Sequence, residues 1–423
     1  MCRYVWLIPL AAAAALASAA VSGSAPTPAP APLDVETFTA AVLKNNASLE
    51  AMRQSVLAAV LRVTPAGKLD DPMLSISAAP RTFGTAGGPN GDVEVSQSLP
   101  WWGTLNARKE AAQAEAEATS QDYAALQLQL AMLARGAFAD WAYIQHALQI
   151  NDTNLVLLAE LRDAARIRYS TGQGSQGDVL QADLERALLK EQRLGWERER
   201  TVVQARMNAL LDRSPQSAIP EPSPLPDPWS IPAEEILAER ALEHPRLQQL
   251  AAQQRAAEAR QSLAEKERYP KFGLSAGYNN MWSDPTQRPV VGLSFTVPLD
   301  QSKYRAEIDA AHAEARRAAA TLEDERASLL GDLSAAYAKV REAAQSIALY
   351  RDELVPLAGS TLDVARSEYA AGRGDFLNVL TAGKRRLETQ LELARWRSEY
   401  YRTWAELDRT SAGVLLDSKG SQK

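Results

Sequence analysis

Cysteine is almost missing from this chain. Its 423 residues include one cysteine, Cys2, with three histidines and six methionines, too few for a disulfide framework or a thiolate metal site. His146, His244 and His312 are scattered and the methionines form no cluster, so no metal-binding residues are expected. There is no nucleophile elbow, no phosphate loop and no paired histidine–carboxylate set. The chain is therefore not expected to be an enzyme, and neither catalytic residues nor a cofactor are assigned. Positive charge is short as well. Lys and Arg number 46 against 52 Asp and Glu, for a net charge of −6, and no basic patch forms that would suit nucleic acid. Carboxylates are plentiful but spread along polar helix faces, as solvated helices usually carry them. Beyond the first residues no segment reaches the roughly 18 apolar residues of a spanning helix.

The first residues are different. MCRYVWLIPLAAAAALASAA carries one basic residue, Arg3, an apolar run from Tyr4 to Leu16, and Ala17-Ser18-Ala19 as a small-x-small site. This pattern predicts a secretory signal peptide over 1–19, cleaved between about 19 and 25. Losing Arg3 takes the net charge from −6 to −7. Cys2 precedes the apolar run, so it is not the acylated cysteine of a lipoprotein. Export without a spanning helix leaves a periplasmic protein, a secreted protein or an outer-membrane barrel.

Proline and glycine are rationed in a way that exposes a repeat. ARIRYSTGQGSQGDVLQA, from Ala165, and ARSEYAAGRGDFLNVLTA, from Ala365, share eight of eighteen positions at an offset of 200 residues. Trp196 meets Trp396 in the same register, while GDVEVSQSLP aligns with PVVGLSFTVP, and DPMLSISA with YPKFGLSA, at an offset of 198. The chain thus divides into a proline-rich segment over 20–33 and a first repeat over 34–212. A linker over 213–232 holds seven prolines and cannot be helical. A second repeat covers 233–410, and a C-terminal tail, expected to be flexible, covers 411–423.

Each repeat has a helical stretch, two short strands, one very long helix, a glycine turn and a returning helix. The strands, near 72–80, 92–100, 270–279 and 289–298, alternate with period two. One face collects Leu74 and Ile76, Val93 and Val95 (with Gln97 interrupting), Phe272 and Leu274, and Val291, Leu293, Phe295 and Val297. Their length approaches the roughly 9–11 residues of a tilted membrane strand. Trp101, Trp102 and Trp282 stand where interfacial aromatics would. A soluble sheet with one face on a helical core alternates identically, so alternation alone leaves both possibilities open.

No proline occurs between Pro100 and Pro215, and Gly136 is the only glycine from Thr104 to Arg168, so one helix of nearly 100 Å is predicted. Leu126, Leu130, Leu133, Ala137, Trp141, Ile144 and Leu148 form its coiled-coil stripe, as Leu329, Leu333, Tyr337, Val340, Ala344 and Ile347 do in the second copy. Pro356 should kink that copy. At the tips, near 169–178 and 369–378, Gly172, Gly174, Gly372 and Gly374 let the chain reverse. Asp178 and Asp375 should cap the outgoing helices, Tyr169 and Tyr369 close the incoming ones, and Val179 with Leu180, and Val379 with Leu380, staple the turns. Helix-turn chemistry alone accounts for these residues; a repeated partner docking on both tips would account for their being kept in both copies.

The RY-x-x-G…VL-x-A turn, the strand pairs, the proline-rich interval and the repeat together resemble the TolC family of outer-membrane efflux ducts. The resemblance implies a mainly helical fold with membrane strands. It implies a homotrimer in which each protomer gives four strands to a 12-stranded barrel in outer-membrane lipid, and long helices to a periplasmic tube. It further implies partners: a periplasmic adaptor that meets the tips, and the inner-membrane pump of the RND type to which that adaptor belongs. An open sheet edge in lipid leaves backbone groups unpaired, so four strands require several chains in any case. The family often places acids at the entrance in a V-D-V-L-D pattern. Here Leu377-Asn378-Val379-Leu380-Thr381 lacks both, which leaves Asp178 and Asp375, with Asn378 in a family acid position, as the candidate entrance charge. LPWWGTLNAR is similar to the P-[WF]-x-G-[KR]-x-x-x-R segment of the heavy-metal, Czc/Cus-type members, with Thr104 replacing the basic residue. It points to heavy-metal cations as cargo. A drug or type I secretion duct is the alternative, and a soluble periplasmic coiled-coil scaffold a more distant one.

Overall fold

The computed structural model describes residues 32–78, 91–280, 282 and 284–413. The signal peptide, the cleavage region, nearly all of the first proline-rich segment and the tail beyond 413 lie outside the described residues.

The first repeat folds as α1 (Val35–Asn45), α2 (Ala47–Ala66), β1 (Met73–Ala78), β2 (Gly91–Leu99), α3 (Thr104–Ser170) and α4 (Gln176–Leu210). The second gives α5 (Glu234–Ala241), α6 (Pro245–Glu267), β3 (Lys271–Asn279), β4 (Pro289–Thr296), α7 (Gln301–Leu349), α8 (Val355–Ala370) and α9 (Phe376–Thr410). Both opening helical stretches are split, and by matching devices. Asn46 separates α1 from α2. Its Oδ1 accepts from the Ser48 and Leu49 amides and its Nδ2 donates to the Leu210 carbonyl at 3.1 Å. His244 separates α5 from α6. Its Nδ1 accepts from the Arg246 amide and its Nε2 meets the Arg409 carbonyl, both at 3.1 Å. Each copy thus caps a helix and ties it to the end of its returning helix with one side chain. Burial, with Arg409 beside it, pushes the His244 pKa down, and the two bonds fix one neutral tautomer.

Helix α3 runs 67 residues, about 100 Å at helical rise. Neither α4 nor α9 alone can cover it. Its first half lies against α2 and α6, where Glu117 pairs with Arg255 at 2.8 Å and Glu115 pairs with Arg260. Its second half lies against α4, with Arg162 on Asp183 at 2.7 Å and the Asn151 amide on the Leu189 carbonyl at 3.2 Å. Because α3 has neighbours on several sides, its buried residues wrap around it and exceed a two-stranded seam. Leu133, read as part of the stripe, is 43 % exposed, while Ala134 is buried in its place. In the second copy a five-residue π-helical turn, Tyr350–Leu354, separates α7 from α8. Pro356 has no N–H to offer the carbonyl four residues back, and the widened turn absorbs that mismatch.

Two cores occupy the middle of the helices. Phe38, Val42, Phe138, Trp141, Ile144 and Met207 form the first; Leu237, Leu333, Val340, Ile347, Tyr400 and Trp404 the second. The proline-rich linker is laid across both. Trp141 Nε1 donates to the Pro220 carbonyl at 3.1 Å, Tyr401 donates to the Pro226 carbonyl at 3.2 Å, and Trp229 packs edge-on or tilted among Tyr400, Tyr401 and Trp404. A buried ion pair, Arg135 Nη1 to Asp408 Oδ2 at 2.8 Å, joins the repeats across 273 residues of sequence.

Candidate membrane face and duct entrance

The four strands form one antiparallel sheet in the order β1-β2-β3-β4. Directly paired residues share a face, so the register builds apolar rows across it. Ile76 faces Val93 and Val93 faces Tyr278. Leu74, Val95, Ala276 and Val291 follow, then Leu274 and Leu293, then Leu99, Phe272 and Phe295. The opposite face carries Ser75, Ser77, Asp92, Glu94, Ser96, Ser275 and small glycines. Gln97 falls on the apolar face, where its amide turns to the Asp70 and Ser98 carbonyls. Strand β1 has six residues, shorter than its sequence expectation, whose last residues, 79 and 80, lie outside the described set. Val297 sits one residue past the end of β4.

Most of the apolar face has no packing partner among the described residues; only its helical end, at Phe272, is covered, by Trp101 and Trp102. Val291 is 79 % exposed and Ile76 72 %; Leu74, Val93, Val95, Leu274, Leu293 and Phe295 are exposed too. No residue of the sheet belongs to a core cluster among the described residues. Among the described residues the sheet does not lie on a helical core. The outer sides of β1 and β4 have no pairing partner among the described residues. Aromatics mark both ends of the sheet: Trp101 and Trp102 just beyond β2, and Trp282 between β3 and β4.

At the other extreme of the helices, the chain reverses over 171–175 and 371–375. Gly172 and Gly372 have φ of 72° and 73°, a left-handed turn that side chains resist. Their amides donate to the Tyr169 and Tyr369 carbonyls at 3.0 and 3.1 Å, closing the incoming helices. At Gly174 and Gly374 a Cβ would meet Arg168 and Glu368 within 3.0 and 3.1 Å.

The capping expectation needs correction. Ser175 caps α4, accepting from the Gly177 amide at 2.9 Å, and Asp178 lies one turn inside. Asp375 does occupy the cap position of α9, but its carboxylate makes no capping bond and stays exposed. Asn378 is exposed beside it. Asp178 instead reaches the other tip, accepting from the Tyr369 hydroxyl at 3.1 Å. The staple expectation holds in full for one copy and in part for the other. Val379 and Leu380 are buried, with Tyr369 and Phe376, against Leu157, Leu161 and Ala165 of α3. In the first copy Val179 is half-buried against the same cluster, while Tyr169 and Leu180 are 48 % and 60 % exposed. The second tip leans on the first hairpin; the outer side of the first tip, with Tyr169 and Leu180, has no neighbour among the described residues.

Arg168, which opens the RY-x-x-G motif but was given no role there, ties the tips together. Its Nη1 donates to the Tyr369 carbonyl, its Nη2 to the Gln173 carbonyl at 3.1 Å, and its guanidinium lies 4.7 Å from the Tyr369 ring centroid. Burial, then the bond to Asp178, pushes the Tyr369 phenol up to about 12. The signal for Arg168 was a mismatch between copies, since Glu368 stands at its equivalent position. Among the described residues no three His, Cys, Asp or Glu side chains converge on a metal site, and no helix is long and apolar enough to cross a membrane.

A sequence profile of the family described as "Outer membrane efflux protein" matches residues 39–211 and 237–413, one match per repeat. The chain belongs to that family. It is an outer-membrane efflux channel of the TolC type. Solved relatives of this fold include the outer-membrane channel OprN (20 % identity, TM-score 0.79, 90 % of each chain) and CusC (17 %, 0.77, 89 % of this chain and 91 % of that one). The open-state outer-membrane channel MtrE of Neisseria gonorrhoeae matches likewise (17 %, 0.76, 90 % of this chain and 89 % of that one). At such identities these likenesses establish the efflux protein's fold. No curated protein matches the chain significantly.

Proposed function

We propose that the mature chain works as a homotrimer. Each protomer gives its four strands to a 12-stranded barrel in outer-membrane lipid, and the helices form a periplasmic tube that receives cargo from an adaptor and an inner-membrane RND pump. The observation that carries this reading is the sheet: a largely uncovered apolar face, bounded by two edges without a pairing partner among the described residues. In hydrocarbon each unpaired amide or carbonyl costs several kcal/mol, and closure with further copies of the same sheet removes both edges. The tips, with their repeated glycine turns, are the docking surface for the adaptor: Tyr169, Gly172, Gly174, Val179 and Leu180 on one, and Tyr369, Gly372, Gly374, Val379 and Leu380 on the other. Asp178 and Asp375, three copies each, supply negative charge at the mouth.

Heavy-metal cations are the proposed cargo. What supports this is the LPWWGTLNAR segment and a bore with a carboxylate-bearing polar face; the duct itself needs only a wet, mildly anionic passage. Reconstitution in planar bilayers tests the reading. Discrete channels with cation-biased reversal potentials are expected, and Asp178→Asn with Asp375→Asn should lower the bias. Unchanged reversal potentials would remove both acids from the mouth. For cargo, deletion in the native cell should raise sensitivity to divalent metals; sensitivity to drugs alone would reassign the duct.

A further inference from the structure

The membrane-facing side of the sheet does not simply stop at its helical end; it continues as a stacked column of rings that finishes on a cation. Phe295 meets Phe272 at 5.4 Å, Phe272 lies over Trp101 at 5.9 Å and 17°, and Trp101 stacks on Tyr269 at 4.8 Å and 15°. The Arg268 guanidinium follows, 5.1 Å from the Tyr269 ring centroid, with Nη2 donating to the Tyr269 hydroxyl at 3.0 Å. Trp102, 73 % exposed, stands edge-on to Trp101 at 5.0 Å and to Phe272 at 5.5 Å.

Phe272 and Phe295 sit on the apolar face, so the column descends along the side that would touch lipid. Its order is aliphatic rows, then phenyl rings, then indole and phenol, then guanidinium. That sequence matches the descent from acyl chain through the carbonyl region to the phosphate of a phospholipid. Among the described residues Arg268 forms no ion pair with a carboxylate. The nearby Glu265 faces His312 at 3.8 Å, and Lys266 is held on Ser262 at 2.7 Å. A stacked guanidinium whose donors are not spent on carboxylates is suited to a phosphodiester, which accepts a planar fork of N–H groups.

We propose that Arg268, seated on Tyr269 and flanked by Trp101 and Trp102, binds the phosphate of a phospholipid in the leaflet that borders the helices, and so fixes the depth of the barrel. This rests on the membrane reading of the sheet. The test is native mass spectrometry of the full mature assembly, released from nanodiscs of phosphatidylglycerol mixed with a galactosyl diacylglycerol. Wild type should retain phosphatidylglycerol and not the phosphate-free lipid. Arg268→Gln should lower retention about fivefold or more, and Arg268→Lys should restore part of it. Tyr269→Phe, which keeps the ring and deletes the orienting hydroxyl, should give an intermediate loss and serves if Arg268→Gln fails to assemble. Equal retention by Arg268→Gln and wild type would overturn the proposal. So would displacement of the lipid by millimolar inorganic phosphate, which would make this a free-anion site. Failure of the underlying membrane reading looks different: no variant, wild type included, would enter nanodiscs.

Discussion

At the scale of single residues, the Tyr369 phenol does two jobs that its ring and hydroxyl divide. The ring lies beneath Arg168 and the hydroxyl holds Asp178. Tyr369→Phe keeps the packing and deletes a bond to a charged acceptor, a class of bond worth about 1.5–3 kcal/mol. The expected outcome is a looser mouth, measured as a larger resting conductance in bilayers; an unchanged conductance would show that the hydroxyl does not restrain the tips. The pH sign is fixed by the raised phenol. Its contribution is complete below the ordinary tyrosine value near 10 and is lost as pH rises through about 12. His244 has the opposite sign. Held neutral with a lowered pKa, it contributes fully above its ordinary value near 6.5, and that contribution fades as pH falls towards the folded value. His244→Asn would import the cap its counterpart Asn46 uses. Its melting temperature should fall less than that of wild type between pH 7 and pH 5, with stability at pH 7 within about 1 kcal/mol.

At the scale of elements, the long helices and the strands were readable because their signals are local. A stretch without proline and with one glycine has little option but to continue as helix, and period-two alternation needs no knowledge of partners. The tips were half readable. Gly172 and Gly372 announce a left-handed turn, yet nothing local says that Tyr369 will be buried and Tyr169 exposed, because that difference comes from which hairpin leans on which. The exchange of roles between Ser175, Asp178 and Asp375 was hidden for the same reason: a carboxylate near a helix start either caps it or turns to a neighbour, and the neighbour decides. The π-helical turn ahead of Pro356 gives this scale its own prediction. Pro356→Ala restores the missing donor, so amides over 350–356 should exchange hydrogen more slowly; exchange as fast as in wild type would mean the widened turn has another cause.

At the scale of the whole molecule, the two repeats are held by the linker and by Arg135 with Asp408, both nearly inaccessible. Arg135→Met leaves the buried carboxylate without that cation and should cost about 3–5 kcal/mol, whereas Arg135→Met with Asp408→Leu should come close to neutral. Thermal unfolding of the two variants decides it. Equal losses would place the energy in packing and not in charge. Leu293→Lys on the apolar face should block membrane assembly, at about 2–4 kcal/mol per copy near the midplane, and fractionation reads it directly. The open margins of β1 and β4 carry a genetic corollary. A seam in a closed ring is only as good as its worst copy, so a proline placed mid-β4 would spoil every assembly it joined. In the proposed trimer, equal amounts of normal and altered chains mixing at random would leave about one-eighth of the cylinders whole. Such an allele would be dominant, and its severity would report how many subunits share the wall.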